Sequence, residues 1–297
     1  MTIKIKEVKP QIWNFKVMGG EDAWKEVAYS ARMSGVPPYV TEEAIFKMIL
    51  RNDYTSAFEH IIIKFDIKIA KSIAPEILEH RMSSHSGFST RYVHPNKSAL
   101  ELKFKEENVY EIITPWHLIK TEKMTEEKIA QRKIFLRNIK SNLKAYETLS
   151  ASGLPRESAR YILPFCQAVG IYHFTMNLRS LLNFLSLRLC VRVAPEMRSI
   201  ASQLYFFLEI DLPVIKGMVG CRGFMKRACP ESDVTGVRKG EQHPFYPPCL
   251  FKTPESEIYI PTQKELGQGG TFKKFDREKA IQAQEFNFRK WADWTGE

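Results

Sequence analysis

The stretch from Glu59 to Ile69 constrains the fold of this chain more than any other feature. Ile61, Ile63, Phe65, Ile67 and Ile69 alternate there with Ile62, Lys64, Asp66 and Lys68. Successive side chains of a strand point to opposite faces, so this alternation is typical of a β-strand with one apolar face. The pattern therefore predicts a strand that presents its isoleucines and Phe65 to a core.

Helical patterns follow and precede this strand. The strongest runs from Thr125 to Ala151, where Thr125 is a capping residue and Glu126 and Glu127 suit the positive end of the helix dipole. Its apolar residues form one predicted core stripe of Ile129, Phe135, Leu136, Ile139, Leu143 and Tyr146. Other predicted helices are 22–34, one opening at Thr41, 70–81, 156–161, 177–189, 196–214 and 277–291; a further strand is predicted at 171–176.

Composition limits the class of protein. The 297 residues include 44% hydrophobic and 26% charged side chains, as in ordinary globular proteins, and no apolar run is long enough to span a membrane. Five cysteines do not suggest a disulfide scaffold, and the chain starts without a signal-peptide pattern, so we expect a cytoplasmic protein. The net charge of +10 implies anionic partners. Its even spread argues against a nucleic-acid-binding protein, which would cluster basic and aromatic residues.

The polar segment from Glu79 to Tyr92 is dense in donors for anionic oxygens. It contains two arginines, Arg81 and Arg91, two histidines and four serines. An arginine fork can hold a phosphate through two hydrogen bonds, and hydroxyl and backbone N–H groups can complete the site. The alternative interpretation is a solvated polar stretch at the end of a helix.

The apolar helix predicted over Asn177–Leu189 carries an arginine that needs a partner. Asn177, Leu181, Phe184 and Arg188 share one face at helical spacing. A guanidinium close to a buried face requires a counter-charge. Either an internal salt bridge or an anionic or polarisable ligand could provide the partner of Arg188. The same two kinds of partner are possible for Arg160.

Four motifs, in order along the chain, resemble those of the flavin-dependent thymidylate synthase family. They are Ser56-Ala57-Phe58-Glu59-His60; His80-Arg81 followed by Ser84, Ser89, Arg91 and Tyr92; Pro155-Arg156-Glu157 followed by Ala159-Arg160 and Leu163-Pro164; and Asn177-x-Arg179-Ser180-Leu181-x-Asn183-Phe184. Ala31-Arg32-Met33-Ser34 fits as well. The resemblance covers roughly residues 20–215.

The resemblance implies an α+β fold, with a small antiparallel sheet packed with long helices. It also implies methylation at C5 of a pyrimidine nucleoside monophosphate, of the dUMP to dTMP type. FAD would be the cofactor, and NADPH and methylenetetrahydrofolate would be co-substrates. A homotetramer is expected, with sites built from several subunits.

The same resemblance implies roles for individual residues. Ser56, His80, Arg81, Asn177, Arg179 and Asn183 would line the flavin. The nucleotide would be held by Ser89, Thr90 and Arg91, and Arg160 would meet its phosphate. Arg188 would face the pyrimidine and stabilise the negative charge that develops on its edge, which is the expected catalytic role.

The chain departs from the family pattern within the site itself. Glu79 stands where the family has arginine, Glu76 stands in place of glutamine, Ser86-Gly87 replaces an Asn-Glu pair, and Tyr54 replaces a histidine. A carboxylate accepts a hydrogen bond from a cytosine amino group or a ribose hydroxyl, so Glu76 and Glu79 favour dCMP or a ribonucleotide as substrate, with a methyl or hydroxymethyl product. If the two carboxylates instead pair with Arg81 or Lys71, the substrate remains dUMP, which is the main expectation from the resemblance. An inactive homologue that binds nucleotide is a further alternative.

The composition changes after residue 220. The sequence predicts a catalytic domain over 1–220 and a C-terminal extension over 221–297, rich in proline, glycine and charge. Cys221, Cys229, His243 and Cys249 form a weak zinc candidate, because three thiols and an imidazole suit tetrahedral zinc but no Cys-x-x-Cys pair is present.

Overall fold

The computed structural model describes residues 2–97, 108–231, 237–238, 241–242, 249–269 and 274–296. Its strands are β1 Lys4–Val8, β2 Gln11–Val17, β3 Ile62–Ile69, β4 Ser83–Gly87, β5 Val109–Ile113, β6 Gly170–Asn177, β7 Val237–Arg238 and β8 Glu241–Gln242. Its α-helices are α1 Ala23–Met33, α2 Glu42–Asn52, α3 Ala74–Leu78, α4 Glu126–Ala151, α5 Arg156–Ala159, α6 Leu178–Arg188, α7 Pro195–Asp211, α8 Arg222–Lys226, α9 Gln263–Gly267 and α10 Arg277–Asp293.

A four-stranded antiparallel sheet lies at the centre, in the order β2-β3-β6-β4. The predicted alternation on β3 is confirmed, because Ile63, Phe65, Ile67 and Ile69 are fully buried while the residues between them are half-exposed. Phe65 pairs with Phe174 of β6, and their rings stack at 5.4 Å. Such cross-strand pairs stabilise the sheet and hold its register.

Helices α1, α2, α6 and α7 share one apolar core with the buried face of this sheet. Helix α7 is tied to the edge strand β2 by Gln203, whose Oε1 accepts from the Ile12 N–H at 3.0 Å. The expected α+β class, a small antiparallel sheet packed with long helices, is confirmed. Among the described helices, none has both the length and the apolar character needed to cross a membrane.

The polar segment after α3 is organised differently from the sequence prediction. The helix predicted over 70–81 is limited to Ala74–Leu78, and Ser83–Gly87 forms the edge strand β4 instead of a turn-rich run. The strand is exposed and, among the described strands, pairs with β6 alone, so its sequence shows no alternation of apolar residues. Gly87 is required at its end, because a Cβ atom there would lie 2.4 Å from the Tyr172 ring.

The apolar stripe predicted on the long helix is only partly correct. Ile139, Leu143 and Tyr146 of α4 are buried, but Ile129 is 41% exposed. Part of α4 covers a second core with Tyr110 and Ile112 of β5, and β5 pairs in parallel with β1 apart from the main sheet. The predicted helix 196–214 also ends earlier, at Asp211.

Helix α10 of the extension packs on the part of the chain before residue 220. Phe288 lies 5.0 Å from the Tyr205 ring of α7, and Trp291 lies 4.3 Å from Trp116. Gln284 is buried and donates to the Val219 carbonyl at 3.0 Å. The division into domains at residue 220 stays a prediction, but the described part of the extension shares a packed boundary with the rest.

Candidate functional site

A cavity of about 490 Å³ lies where β6 runs into α6. Four of the six residues predicted for the flavin line it: Arg81, Asn177, Arg179 and Asn183. The other lining residues are Leu50, Asp53, Thr55, Glu59, Met82, Ser180, Leu182, Ser186, Arg222, Met225 and Lys226. A volume of this size is typical of sites for nucleotide-sized ligands.

Asn177 fixes the geometry of this cavity. It is the last residue of β6 and the N-cap of α6, where its Oδ1 accepts from the Ser180 N–H at 2.8 Å. An asparagine in extended conformation is a preferred helix cap, so the change from strand to helix is encoded at this residue. Arg179 and Asn183 are thereby placed on the first turns of α6, at the cavity wall.

The charges in the cavity come from three arginines, one lysine and two carboxylates. Arg179 pairs with Glu59, and Lys226 lies 3.4 Å from the Asp53 carboxylate. Arg81 has no salt bridge among the described residues, although its carbonyl accepts from Ser180 Oγ at 3.1 Å. The donor set therefore fits an anionic ligand that also needs amide hydrogen bonds.

The other two residues predicted for the flavin do not line the cavity. Ser56 is exposed in the 3₁₀ turn Thr55–His60, where its neighbour Thr55 reaches the cavity. His80 lies behind the wall: its Nε2 is 3.0 Å from the Ser180 carbonyl oxygen, and its ring meets Phe184 edge-on at 5.3 Å. Burial lowers the pKa of His80, the Ser180 carbonyl opposes this, and the Arg188 charge lowers it further. The imidazole is therefore neutral at neutral pH.

Arg188 meets Glu76 near this site. Its Nη1 donates to Glu76 Oε2 at 3.1 Å and its Nη2 to the Glu76 carbonyl at 2.9 Å, while its Nε is buried without a partner. Burial raises the pKa of Glu76, and the Arg188 charge opposes this effect. Of the two partners proposed for this arginine, the internal salt bridge is present, whereas Arg188 is not among the residues that line the cavity.

The predicted pairing of Glu76 and Glu79 with Arg81 or Lys71 is wrong for Glu76, which pairs with Arg188. Glu79, the residue after α3, is exposed and forms no salt bridge within the described part of the chain. Lys71 instead donates to the Tyr172 hydroxyl at 3.1 Å. The two carboxylates thus have separate environments, although they are only three positions apart.

The residues predicted for the nucleotide lie around a second cavity of about 600 Å³. Ser89, Thr90 and Arg160 line it, with Lys71, Phe88, Tyr161, Leu163, Pro164, Phe165, Gln167 and Val169. Arg91 does not: its Nε lies 2.9 Å from Glu157 Oε2, and its guanidinium is 5.3 Å from the Tyr92 ring. No residue lines both this cavity and the first, so one described chain does not unite the predicted cofactor and nucleotide residues.

Three of the four predicted zinc ligands lie together. Cys221, Cys229 and Cys249 line a cavity of about 100 Å³ with Cys190, whereas His243 falls outside the described residues. Within the described ranges, no three histidine, cysteine, aspartate or glutamate side chains are arranged to hold a metal ion. Burial raises the pKa of Cys221 to about 12. The zinc site stays a prediction.

Sequence patterns missed several lining residues. Asp53, Met82, Arg222 and Lys226 lie in the first cavity, and Lys71 in the second, but none belongs to a matched motif. Met82 has a left-handed backbone with φ of 63°, which is uncommon outside glycine and marks the turn into β4. No periodicity or spacing identifies these residues, because separate segments meet only in the fold.

Comparison with known proteins identifies the family. The family model described as thymidylate synthase complementing protein matches residues 18–214. The flavin-dependent thymidylate synthase of Dictyostelium discoideum is 26% identical over 262 residues, covering 76% of this chain and 82% of that protein. The enzyme of the same name from Pseudothermotoga lettingae is 32% identical over 179 residues, covering 58% of this chain and 74% of that protein.

A solved structure has the same fold. The UMP/dUMP methylase PolB from Streptomyces cacaoi, bound with 5-Br dUMP, matches with a TM-score of 0.55 and 20% identity over 71% of this chain and 94% of that chain. Its structure with 5-Br UMP matches with a TM-score of 0.56 and 21% identity. The region that matches the family model covers most of the chain. It includes all the residues that line the two cavities, apart from those in the extension. The chain therefore belongs to the thymidylate synthase complementing protein family.

Proposed function

We propose that this protein methylates C5 of a pyrimidine nucleoside monophosphate. FAD is the proposed cofactor, and methylenetetrahydrofolate and NADPH are the proposed carbon donor and reductant. The observation that supports this most directly is the first cavity, where Arg81, Asn177, Arg179 and Asn183 meet although Arg81 and Asn177 are 96 positions apart in the sequence.

The bound flavin would supply the hydride chemistry, and the chain supplies positioning and charge. Arg179 and Arg81 offer guanidinium donors to anionic oxygens, and Asn183 offers an amide. His80, neutral and hydrogen-bonded to Ser180, supports the wall behind them. Arg160 at the second cavity is the proposed phosphate ligand, with Ser89 and Thr90 beside it.

The salt bridge of Arg188 bears on the choice of base. The Glu76 carboxylate already accepts from Arg188, so it is a poorer acceptor for the amino group of cytosine. The family resemblance assigns Arg188 to the pyrimidine, and a guanidinium group, which can only donate, suits the carbonyl edge of uracil. A uracil nucleotide is therefore the favoured substrate, and dCMP is the less favoured alternative.

A second candidate, a ribonucleotide substrate, is supported by the structural neighbour. The Streptomyces cacaoi protein is described as a UMP/dUMP methylase and was solved with analogues of both nucleotides. Glu79 is exposed and has no salt bridge within the described residues, so it is available to a ribose hydroxyl.

The proposal is tested with the purified full-length chain. We expect it to be yellow from bound flavin, or to become so on reconstitution with FAD. We also expect release of the C5 hydrogen from labelled dUMP or UMP when methylenetetrahydrofolate and NADPH are present, with dCMP assayed in parallel. A colourless chain that cannot be reconstituted contradicts the flavin part. Flavin binding without hydrogen release from any of the three nucleotides identifies an inactive homologue.

The proposed assembly is a homotetramer whose sites combine subunits. The separate positions of the two cavities in one chain support it, since cofactor and nucleotide must lie in contact for the reaction.

A further inference from the structure

The short helix α8 lies outside the matched family region, yet it lines the first cavity. The family model ends at residue 214, whereas Arg222, Met225 and Lys226 of α8 belong to the cavity wall. They face the same space as Arg81 and Arg179. The extension is thus part of the cavity and not an appendage remote from it.

The position of α8 is fixed by close packing within the extension. Phe224 is buried and stacks on Phe251 at 5.8 Å. Gly220, just before α8, leaves no room for a side chain, because a Cβ atom there would lie 2.1 Å from Gln284 Oε1. The apolar side of α8 therefore docks the helix, and this leaves Arg222 and Lys226 on its exposed side.

The contacts of Arg222 and Lys226 are weak. Arg222 Nη2 donates to Asn183 Oδ1 at 3.3 Å, and Lys226 Nζ lies 3.4 Å from Asp53 Oδ2. The Lys226 and Asp53 side chains are 62% and 72% exposed, and exposed pairs of this kind contribute little to stability. These polar groups consequently contribute little to docking, which rests on the buried aromatic side chains.

The charge in the cavity is unbalanced. Asp53 pairs with Lys226, and Glu59 pairs with Arg179. Arg81 and Arg222 form no salt bridge within the described ranges. Two guanidinium groups without carboxylate partners, together with a weakly held lysine, form a set of donors for phosphate oxygens.

We propose that Arg222 and Lys226 of α8 bind the phosphate-bearing part of the cofactor that occupies this cavity, so that the C-terminal extension completes the cofactor site. This inference rests on the proposed flavin function. It names a diphosphate or phosphate as the chemical group recognised, and it assigns Asn183 the further role of orienting the Arg222 guanidinium.

The test compares FAD with riboflavin, which has the same ring system but no phosphate. Arg222→Met and Lys226→Met are made in the full-length chain, with Lys264→Met on exposed α9 as the matched control. Flavin affinity is measured by fluorescence quenching after removal of bound flavin. A hydrogen bond to a charged group contributes about 1.5–3 kcal/mol, so we expect FAD affinity to fall roughly 10- to 100-fold for Arg222→Met and less for Lys226→Met. Riboflavin affinity should not change.

Three outcomes would overturn the inference. In the first, the wild-type chain binds FAD and both α8 variants bind it equally well. In the second, FAD and riboflavin affinities fall together, which indicates a general structural role. In the third, the wild-type chain binds no flavin; the proposed flavin function then fails and this inference fails with it. Thermal unfolding of each variant shows whether a loss of affinity reflects loss of the fold, and Arg222→Lys, which keeps the charge, should recover part of the FAD affinity.

Discussion

At the scale of single residues, Glu196 has an unusual environment for a carboxylate. It is buried on α7, and its Oε1 accepts from the Ala70 N–H at 2.5 Å. Burial raises its pKa from 4.5 to about 7; the Ala70 N–H opposes this shift and the nearby charge of Glu76 adds to it. The carboxyl group is therefore about half protonated near neutral pH.

This environment predicts a pH dependence of stability. The folded-state pKa lies above the unfolded one, so the folded protein binds more protons between pH 4.5 and about 7, and its stability falls as pH rises through that window. Glu196→Gln can still accept from Ala70 and should remove this fall. The difference between the two proteins is up to about 3 kcal/mol above pH 7, in favour of the variant.

The measurement is urea unfolding from pH 4 to 8 for the wild type, for Glu196→Gln and for Glu122→Gln, which changes an exposed carboxylate. Parallel pH curves for the wild type and Glu196→Gln would show that burial does not shift this group.

At the scale of elements, the docking of α10 depends on tryptophans. Trp291 is buried, lies 4.3 Å from Trp116, and has the Arg198 guanidinium 4.2 Å from its ring. Trp294, at the end of the helix, meets Trp116 at 5.1 Å. These rings join the extension to the segment after β5. The position of α10 therefore depends on contacts with residues far away in the sequence and not on contacts within the helix.

We expect Trp291→Ala to lower the free energy of unfolding by about 3–5 kcal/mol, as is typical for truncation of a large buried aromatic side chain. The matched control is Phe286→Ala in the same helix, since Phe286 is 75% exposed. Its effect should remain within about 0.5 kcal/mol. Urea midpoints measure both effects, and equal midpoints for the two variants would contradict this account of how α10 docks.

At the scale of the whole molecule, the described chain leaves large apolar side chains exposed beside the second cavity. Tyr161 is 85% exposed and Phe165 is 73% exposed, and both line that cavity. Apolar groups at the edge of a site are common where subunits meet.

We therefore expect the wild type to sediment as an oligomer, which is a tetramer in the proposed assembly. The variant Phe165→Glu should form smaller species and have lower activity. Phe286→Glu, an exposed change on the extension, is the comparison. Analytical ultracentrifugation measures both variants. A wild type that sediments as a monomer, or a Phe165→Glu variant that assembles normally, would argue against an interface at this cavity.

Several features were predictable because they depend on neighbours in the sequence. The alternation on β3 gave the strand and its buried face, and Thr125 and Asn177 marked the starts of α4 and α6. The motif residues Arg81, Asn177, Arg179 and Asn183 do line one cavity, and their role toward a flavin stays a prediction. Short-range patterns carry this information because strand and helix geometry repeat every few residues.

The sequence by itself determined the family, the fold class, most of the helix positions and the two central strands β3 and β6. Tertiary structure alone decided that Glu76 pairs with Arg188, that the exposed edge strand β4 replaces a turn, and that α8 of the extension enters the first cavity. These are contacts between segments far apart in the chain. They follow from how packed surfaces meet, and no local pattern of residue types encodes that geometry.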